Sequence, residues 1–363
     1  MGRQAVTIRD VAREAKVSVA TVSRALNGHS NVAEPVRRQV LEVAQRLRYS
    51  PHGAARSLSS RSTQTIGVVL PDLHGEFFSE LIRGIDAAAR ARGRHLLLSS
   101  YHGDRDEQGA ALRAMRGRVD GLLVMSPYAD QPGFLAENLP QPLPAVLVNT
   151  HPAEAAWPAF EIDNHAGARA MVAHLLQQGH RRIAFIGGPE RNYDARERLR
   201  GFRDAIGAQA DAHGVEYTGD FDEASGHRAG GAIVQEAQRP DAVFAANDMM
   251  ALGCLYAFAQ AGVRVPEDIA LAGFDDIPLA RFVHPSLTTM RVSIAELGGR
   301  AMTRLLAQIE ADAASGEGEG DEPAGPDRHV LAPELVVRAS TAAAATEMHG
   351  QARRSPRTKR RKE

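Results

Sequence analysis

The first fifty residues carry apolar positions at helical spacing in three short stretches. Val11, Ala12 and Ala15 share one face behind Thr7, which with Asp10 makes a Thr-x-x-acid capping box. After a turn around Lys16 and Val17, Ser18 stands where it caps a second helix. In that helix Val22, Ala25 and Leu26 recur at i, i+3, i+4, while Ala20 and Arg24 lie one turn apart on another face. A third helix opens at Pro35, a residue tolerated at a first helical position, and runs through Val36, Val40, Val43, Ala44 and Leu47 to a stop at Tyr49-Ser50-Pro51. The pattern predicts a small all-α helix-turn-helix domain whose second helix divides its faces between core and partner.

From Thr65 onward short apolar runs alternate with amphipathic stretches, the pattern of parallel sheets covered by helices on both faces. The predicted strands are Ile66 to Leu70, Leu96 to Ser99, Leu122 to Met125, Val146 to Asn149, Ile183 to Ile186, Val243 to Ala246 and Ile269 to Ala272. About 280 residues are more than one parallel sheet usually needs, so a two-lobed α/β body is expected. Residues 312–328, rich in Ala, Gly, Glu, Asp and Pro, read as a flexible insertion before the strand-like Leu335-Val336-Val337-Arg338. After Ser340 the apolar periodicity ends.

Charge sharpens the division. Residues 1–62 hold eleven basic side chains against four acidic ones, and residues 353–363 hold seven against Glu363. With a net charge of −1 for the whole chain, the middle is fourteen negative. A polyanion is the natural partner of the first 62 residues, since phosphate neutralisation supplies most non-specific nucleic-acid affinity. The basic tail is more often a solvated end, though it would add non-specific DNA affinity.

The run Thr7-Ile8-x-Asp10-Val11-Ala12, then Val17-Ser18-x-x-Thr21-Val22-Ser23-Arg24, then Tyr49-x-Pro51, resembles the lactose/galactose-repressor family of bacterial transcription regulators. The resemblance implies a DNA-binding domain over residues 1–50 and a hinge helix and linker over 51–63. It also implies a two-lobed, periplasmic-binding-protein-like effector and dimerisation domain over 64–340, with a basic tail over 341–363. It places Val19, Ala20 and Arg24 at base-reading positions; Arg24 carries the donors for a guanine edge, and the small apolar pair suits a thymine methyl. Val19 as a core residue is the alternative. By the same resemblance Thr7, Ser18, Thr21, Ser23, Asn31 and Tyr49 join the DNA contacts. In the hinge, Ala55 and Leu58 follow, with Leu58 as a minor-groove wedge. Gly53 departs from an alanine-rich hinge and costs the helix roughly 1 kcal/mol.

In doubly wound sheets ligands bind outside the carboxyl ends of the strands, and polar and aromatic residues gather there in this sequence. The expected effector contacts are Phe78, Asp163, Asn192, Asp194, Arg198, Phe221, Asn247 and Asp275, with Asp72, Phe77, Asp248 and Asp276 beside them. Carboxylates, amides, a guanidinium and aromatic rings suit a sugar. Each has a plainer reading: Asp248 and Asp276 as helix or turn caps, Phe77 as core, Arg198 as a surface ion pair. A purine stacked on Phe78 and Phe221, within reach of Arg191, is the second ligand reading; a ligand-binding protein without DNA activity is the third.

Enzyme signatures are missing: Gly187-Gly188-Pro189 is no dinucleotide fingerprint, and no metal-ligand spacing occurs among the fourteen histidines and the single Cys254. No cofactor and no metal are expected. The expected partners are double-stranded operator DNA, a small-molecule effector and a second copy of the chain. Without a leucine heptad near the end, that means a homodimer. No apolar run is long enough for a membrane and no signal peptide is legible, so a cytoplasmic protein is expected.

Overall fold

A computed structural model describes residues 6–26, 31–49, 62–127, 133–140, 142–151, 157–315 and 327–342. The hinge positions Gly53, Ala55 and Leu58 lie outside the described residues. The predicted helical triplet is α1 (Ile8–Glu14), α2 (Val19–Leu26) and α3 (Glu34–Arg46). Asp10 accepts the Thr7 amide at 2.9 Å and the Thr7 hydroxyl at 2.7 Å, and Ser18 Oγ accepts the Thr21 amide at 3.1 Å, so both predicted caps form. Val11, Ala15, Val22, Ala25, Val40 and Val43 make the shared core. Val19 is 41% exposed and outside it, which removes the core reading of that residue.

The chain continues as β1 (Thr65–Leu70), α4 (Glu76–Ala91), β2 (His95–Ser100), α5 (Arg105–Ala114), β3 (Gly121–Val124), α6 (Phe134–Asn138), β4 (Ala145–Val148) and β5 (Ala159–Ile162). Next come α7 (Asn164–Gln177), β6 (Arg182–Ile186), α8 (Tyr193–Gly207), β7 (His213–Tyr217), α9 (Glu223–Gln235), β8 (Ala242–Ala245), α10 (Asp248–Gln260) and β9 (Ala270–Ala272). A 3-10 turn at Pro278–Arg281 leads to β10 (Thr289–Arg291) and α11 (Ile294–Ser315). The described chain then gives β11 (Arg328–Leu331), β12 (Glu334–Val336) and a 3-10 turn at Ala339–Thr341.

Two compact units divide these elements. One holds residues up to Asp163 with 191–193 and 293–332; the other holds 164–190, 194–292 and the residues from Pro333. In the first, six parallel strands run in the order β11-β5-β4-β3-β1-β2; in the second, four run β7-β6-β8-β9, beside an antiparallel β10–β12 pair. Each sheet reverses its winding once, between β1 and β3 in the first and between β6 and β8 in the second; in doubly wound sheets generally, ligands bind outside the carboxyl ends at such points.

Every predicted strand forms, but β5, β7, β10 and β11 escaped the sequence pattern. Glu161, Glu216, Arg291 and Arg328 break their apolar runs, whereas the equally short β3, β4, β8 and β9 are apolar throughout. Three boundaries are corrected. Helix α11 extends through Ser315 and β11 begins at Arg328, so the segment read as an insertion over 312–328 is trimmed at both ends. Thr341, assigned to the tail, is buried and pairs with His174 Nε2 at 2.9 Å and Thr288 Oγ1 at 2.8 Å. Ser62 and Thr63, assigned to the linker, are already bonded to Asp120 of the first sheet.

Candidate effector site and DNA-reading helix

In the second unit a buried polar constellation assembles past the strand ends. Asp194 and Arg198 sit one turn apart on α8, so their side chains share a face. Asn164, the first residue of α7, bridges them. Its Nδ2 donates to Asp194 Oδ1 at 2.8 Å and its Oδ1 accepts Arg198 Nε at 2.7 Å. The remaining guanidinium nitrogens reach the carbonyl of Ala246, just past β8, and Asp275 Oδ1 at 3.3 Å. Arg198 is 4% exposed, which removes its reading as a surface ion pair. The Phe274 ring lies 3.8 Å from the guanidinium carbon and the Phe221 ring 5.9 Å from it, so the cation is held between one carboxylate, two amide oxygens and π faces.

The loop after β9 is shaped by what surrounds it. A Cβ on Gly273 would stand 2.2 Å from Asp248 Oδ1, so only glycine fits there, and Asp275 and Asp276 follow with φ of 112° and 55°. Burial pushes the Asp275 carboxyl up to about 6, against the Arg198 charge that lowers it and with Asp194 adding to the rise. Asp248 is likewise pushed well above the ordinary carboxylate range, first by burial and then by Asp275.

Neither cap reading of these aspartates holds. Asn247 caps α10 by accepting the Met250 amide at 2.9 Å, leaving Asp248 to accept the Ile277 amide at 3.0 Å and the Thr289 hydroxyl at 2.6 Å. Asp276 binds Arg291 Nε at 2.8 Å and Arg338; although burial opposes it, those bonds hold its carboxyl below the usual range. Asn247 Nδ2 also donates to the Phe221 carbonyl at 2.9 Å, and the Phe221 ring seats on Gly188, where a Cβ would lie 2.5 Å from it. Thus Asp194, Arg198, Phe221, Asn247 and Asp275 come together, with the amide of Asn247 spent on the backbone that presents Phe221.

Phe78, Asp163 and Asn192 belong to the first unit. Phe78 is half-buried on α4, edge-on to an equally half-buried Phe77 at 5.5 Å, so Phe77 is not a fully buried core residue. Asn192 is buried, and the Asp163 amide donates to the Leu331 carbonyl at 2.9 Å. Asp72 folds back on the Leu73 and His74 amides and shapes its own turn. Asn164 and Phe274 were missed. Asn164 follows the undetected β5, and Phe274 lies in a segment, Gly273-Phe274-Asp275-Asp276, that resembles a family ligand segment but from which only the aspartates were singled out.

Among the DNA-contact residues, Thr7, Ser18, Val19, Ala20, Arg24 and Asn31 are exposed, and Thr21 and Ser23 are half-buried. Tyr49 packs against the three-helix core. Val19, Ala20 and Arg24 thus share an open surface of a helix whose other face is buried at Val22 and Ala25. Among the described residues no group of His, Cys, Asp or Glu is arranged to hold a metal ion, and no helix is long and apolar enough to cross a membrane.

Residues 7–52 match the model of the bacterial regulatory proteins, lacI family, and residues 172–341 match that of the periplasmic binding protein-like domain. Catabolite control protein A of Priestia megaterium is 36% identical over 307 residues, covering 83% of this chain and 91% of that protein. The HTH-type transcriptional repressor CytR of Escherichia coli K12 is 34% identical over 345 residues, 93% of this chain and 97% of the relative. The ribose operon repressor of the same organism is 36% identical over 307 residues, 84% and 93%. Among solved structures, the lac repressor dimer bound to operator and an anti-inducer superposes with a TM-score of 0.80 at 28% identity over 94% of this chain and all of that one. A complex of the transcriptional regulator CelR with cellobiose gives 0.65 at 30% over 92% and 99%. A helix-turn-helix with an open reading face, two parallel α/β units and relatives matched over nearly their whole length lead to one conclusion: the chain belongs to the lacI family of bacterial regulatory proteins.

Proposed function

We propose that this protein is an operator-specific, homodimeric transcriptional repressor of carbohydrate-utilisation genes, controlled by a small sugar held at the Arg198 constellation. The observation that carries the ligand reading is one buried guanidinium bonded to Asp275 and, through Asn164, tied to Asp194. Carboxylate acceptors beside guanidinium donors match adjacent hydroxyls, and an aromatic face such as Phe221 packs on the C–H side of a sugar ring. Relatives named for the ribose operon and for a cellobiose complex favour carbohydrate as the ligand class. Val19, Ala20 and Arg24 on α2 read the operator. For the sugar to act it must bind two states of the protein unequally, and a coupling of about 1–3 kcal/mol changes DNA affinity roughly 5 to 150-fold.

The test is a calorimetric and thermal-shift panel of pentoses, hexoses, disaccharides and purines on the full chain, followed by DNA binding with and without the hit. One sugar is expected to bind saturably, stabilising by about 2.7 kcal/mol at a hundredfold excess over its dissociation constant, and to change duplex affinity. Arg198→Met is expected to abolish its binding. A purine that binds where no sugar does overturns the carbohydrate reading.

A further inference from the structure

A second charged cluster lies at the amino ends of strands in the first unit's sheet. Residues 62–64 precede β1, Arg94 precedes β2 and Asp120 precedes β3; because β3, β1 and β2 are parallel neighbours, these three strand starts stand side by side. The Asp120 carboxylate, with 10% of its side chain exposed, accepts five hydrogen bonds. Oδ1 takes the Thr63 amide at 2.6 Å and the Thr63 hydroxyl at 2.8 Å. Oδ2 takes the Ser62 hydroxyl at 2.5 Å, the Gln64 amide at 2.9 Å and Arg94 Nη1 at 2.7 Å. Gln64 has a φ of 54°, and the amides of Thr63 and Gln64 converge on one anion, a nest in the backbone. Burial works against the charged form, yet the bonds from Ser62, Thr63 and Gln64 outweigh it and hold the carboxyl below its usual range.

The strands need none of this to pair. The His95 amide reaches the Gln64 carbonyl at 2.9 Å and the Asp120 amide the Thr65 carbonyl at 2.8 Å, which already aligns their starts. The carboxylate instead pins the residues that directly follow the segment leading from the DNA-binding helices. We infer that Asp120 is a positioning residue for operator recognition: by clamping residues 62–64 to the sheet it fixes the point from which the DNA-binding domain is tethered. This rests on the repressor reading above. Releasing three residues would add about 10 Å of chain reach to each tether. In a dimer that must set two reading helices about 34 Å apart, such slack dilutes the second helix at its half-site.

Asp120→Asn tests the inference. The amide keeps one acceptor but turns a donor toward the Gln64 amide and Arg94, which can only donate, and so breaks those two bonds of the clamp. The probes are a duplex selected by the wild-type chain from a randomised library and a duplex of random sequence, with hydrogen exchange read at the Thr63 and Gln64 amides. Affinity for the selected duplex is expected to fall about tenfold while that for the random one holds, so the ratio drops as the two amides lose protection. Ser62→Ala with Thr63→Ala keeps the Arg94–Asp120 pair and serves if the first variant fails to fold; it should move the ratio the same way, by about threefold. A ratio unchanged while the amides exchange freely overturns the inference. So does a joint loss of both affinities with the thermal midpoint, which would make Asp120 only structural. A wild-type chain that enriches no sequence overturns the repressor reading itself, and this inference with it.

Discussion

At Asp275 the site's electrostatics become a pH dependence. Its carboxyl is pushed up to about 6 in the native state, chiefly by burial, against an ordinary value of 3.8. The folded protein therefore holds this proton over a range where the unfolded chain has released it. Stability from the group is fully present below the ordinary value and is lost as pH rises through about 6, a swing of at most about 3 kcal/mol. Asp276 and Glu161 work in the opposite direction: their native carboxyls are lowered, and their contribution, present above the ordinary range, is lost on acidification. Asp275→Asn isolates the first effect. Its unfolding free energy minus that of the wild type is expected to climb between about pH 4 and pH 7 in denaturant titrations; a flat difference would mean that Asp275 is ionised throughout. Arg198, Asp194 and Asp275 were legible in the sequence because each follows a recognisable strand. Asn164 and the backbone role of Asn247 were not, since their partners lie about thirty residues away along the chain.

Helix α2 shows what local pattern conveys well. The Ser18 cap and the Val22, Ala25 stripe are set by residues within one or two turns, so the sequence placed them correctly. The same spacing left Val19 undecided, because whether a helix-start valine is covered depends on what packs against it; here it stays 41% exposed. Arg24→Ala is expected to lose about 1–3 kcal/mol of discrimination between operator and random duplex while keeping salt-sensitive binding to both, measured by anisotropy titration. Undiminished discrimination would move base reading away from α2. Helix α11 illustrates the reverse. Asp312, Ala313, Ala314 and Ser315 were taken into a loop by composition, yet alanine is the best helix former, and the preceding turns carry the helix through them.

For the whole molecule, the folded body reaches further than the end of the apolar pattern. Ser340 Oγ donates to the Leu271 carbonyl at 2.5 Å and accepts the Thr288 amide at 2.8 Å, while Thr341 joins His174 and Thr288. Deleting residues 343–363 is therefore expected to leave dimer mass in sedimentation and the thermal midpoint unchanged. Deleting 339–363 should lower the midpoint, since each buried partner left unsatisfied costs about 1–3 kcal/mol. Equal behaviour of the two truncations would remove the anchoring role of Ser340 and Thr341. By itself the sequence determined the helix-turn-helix, the seven predicted apolar strands, the charge division and the family, because all of these are written in local periodicity or in motifs of adjacent residues. The tertiary structure alone decided which polar residues meet: Asn164 joining Asp194 to Arg198, Phe274 beneath the guanidinium, and Asp120 gathering the starts of three strands. Those contacts join segments that are distant in the chain, and only strand order and helix packing bring them within hydrogen-bonding range.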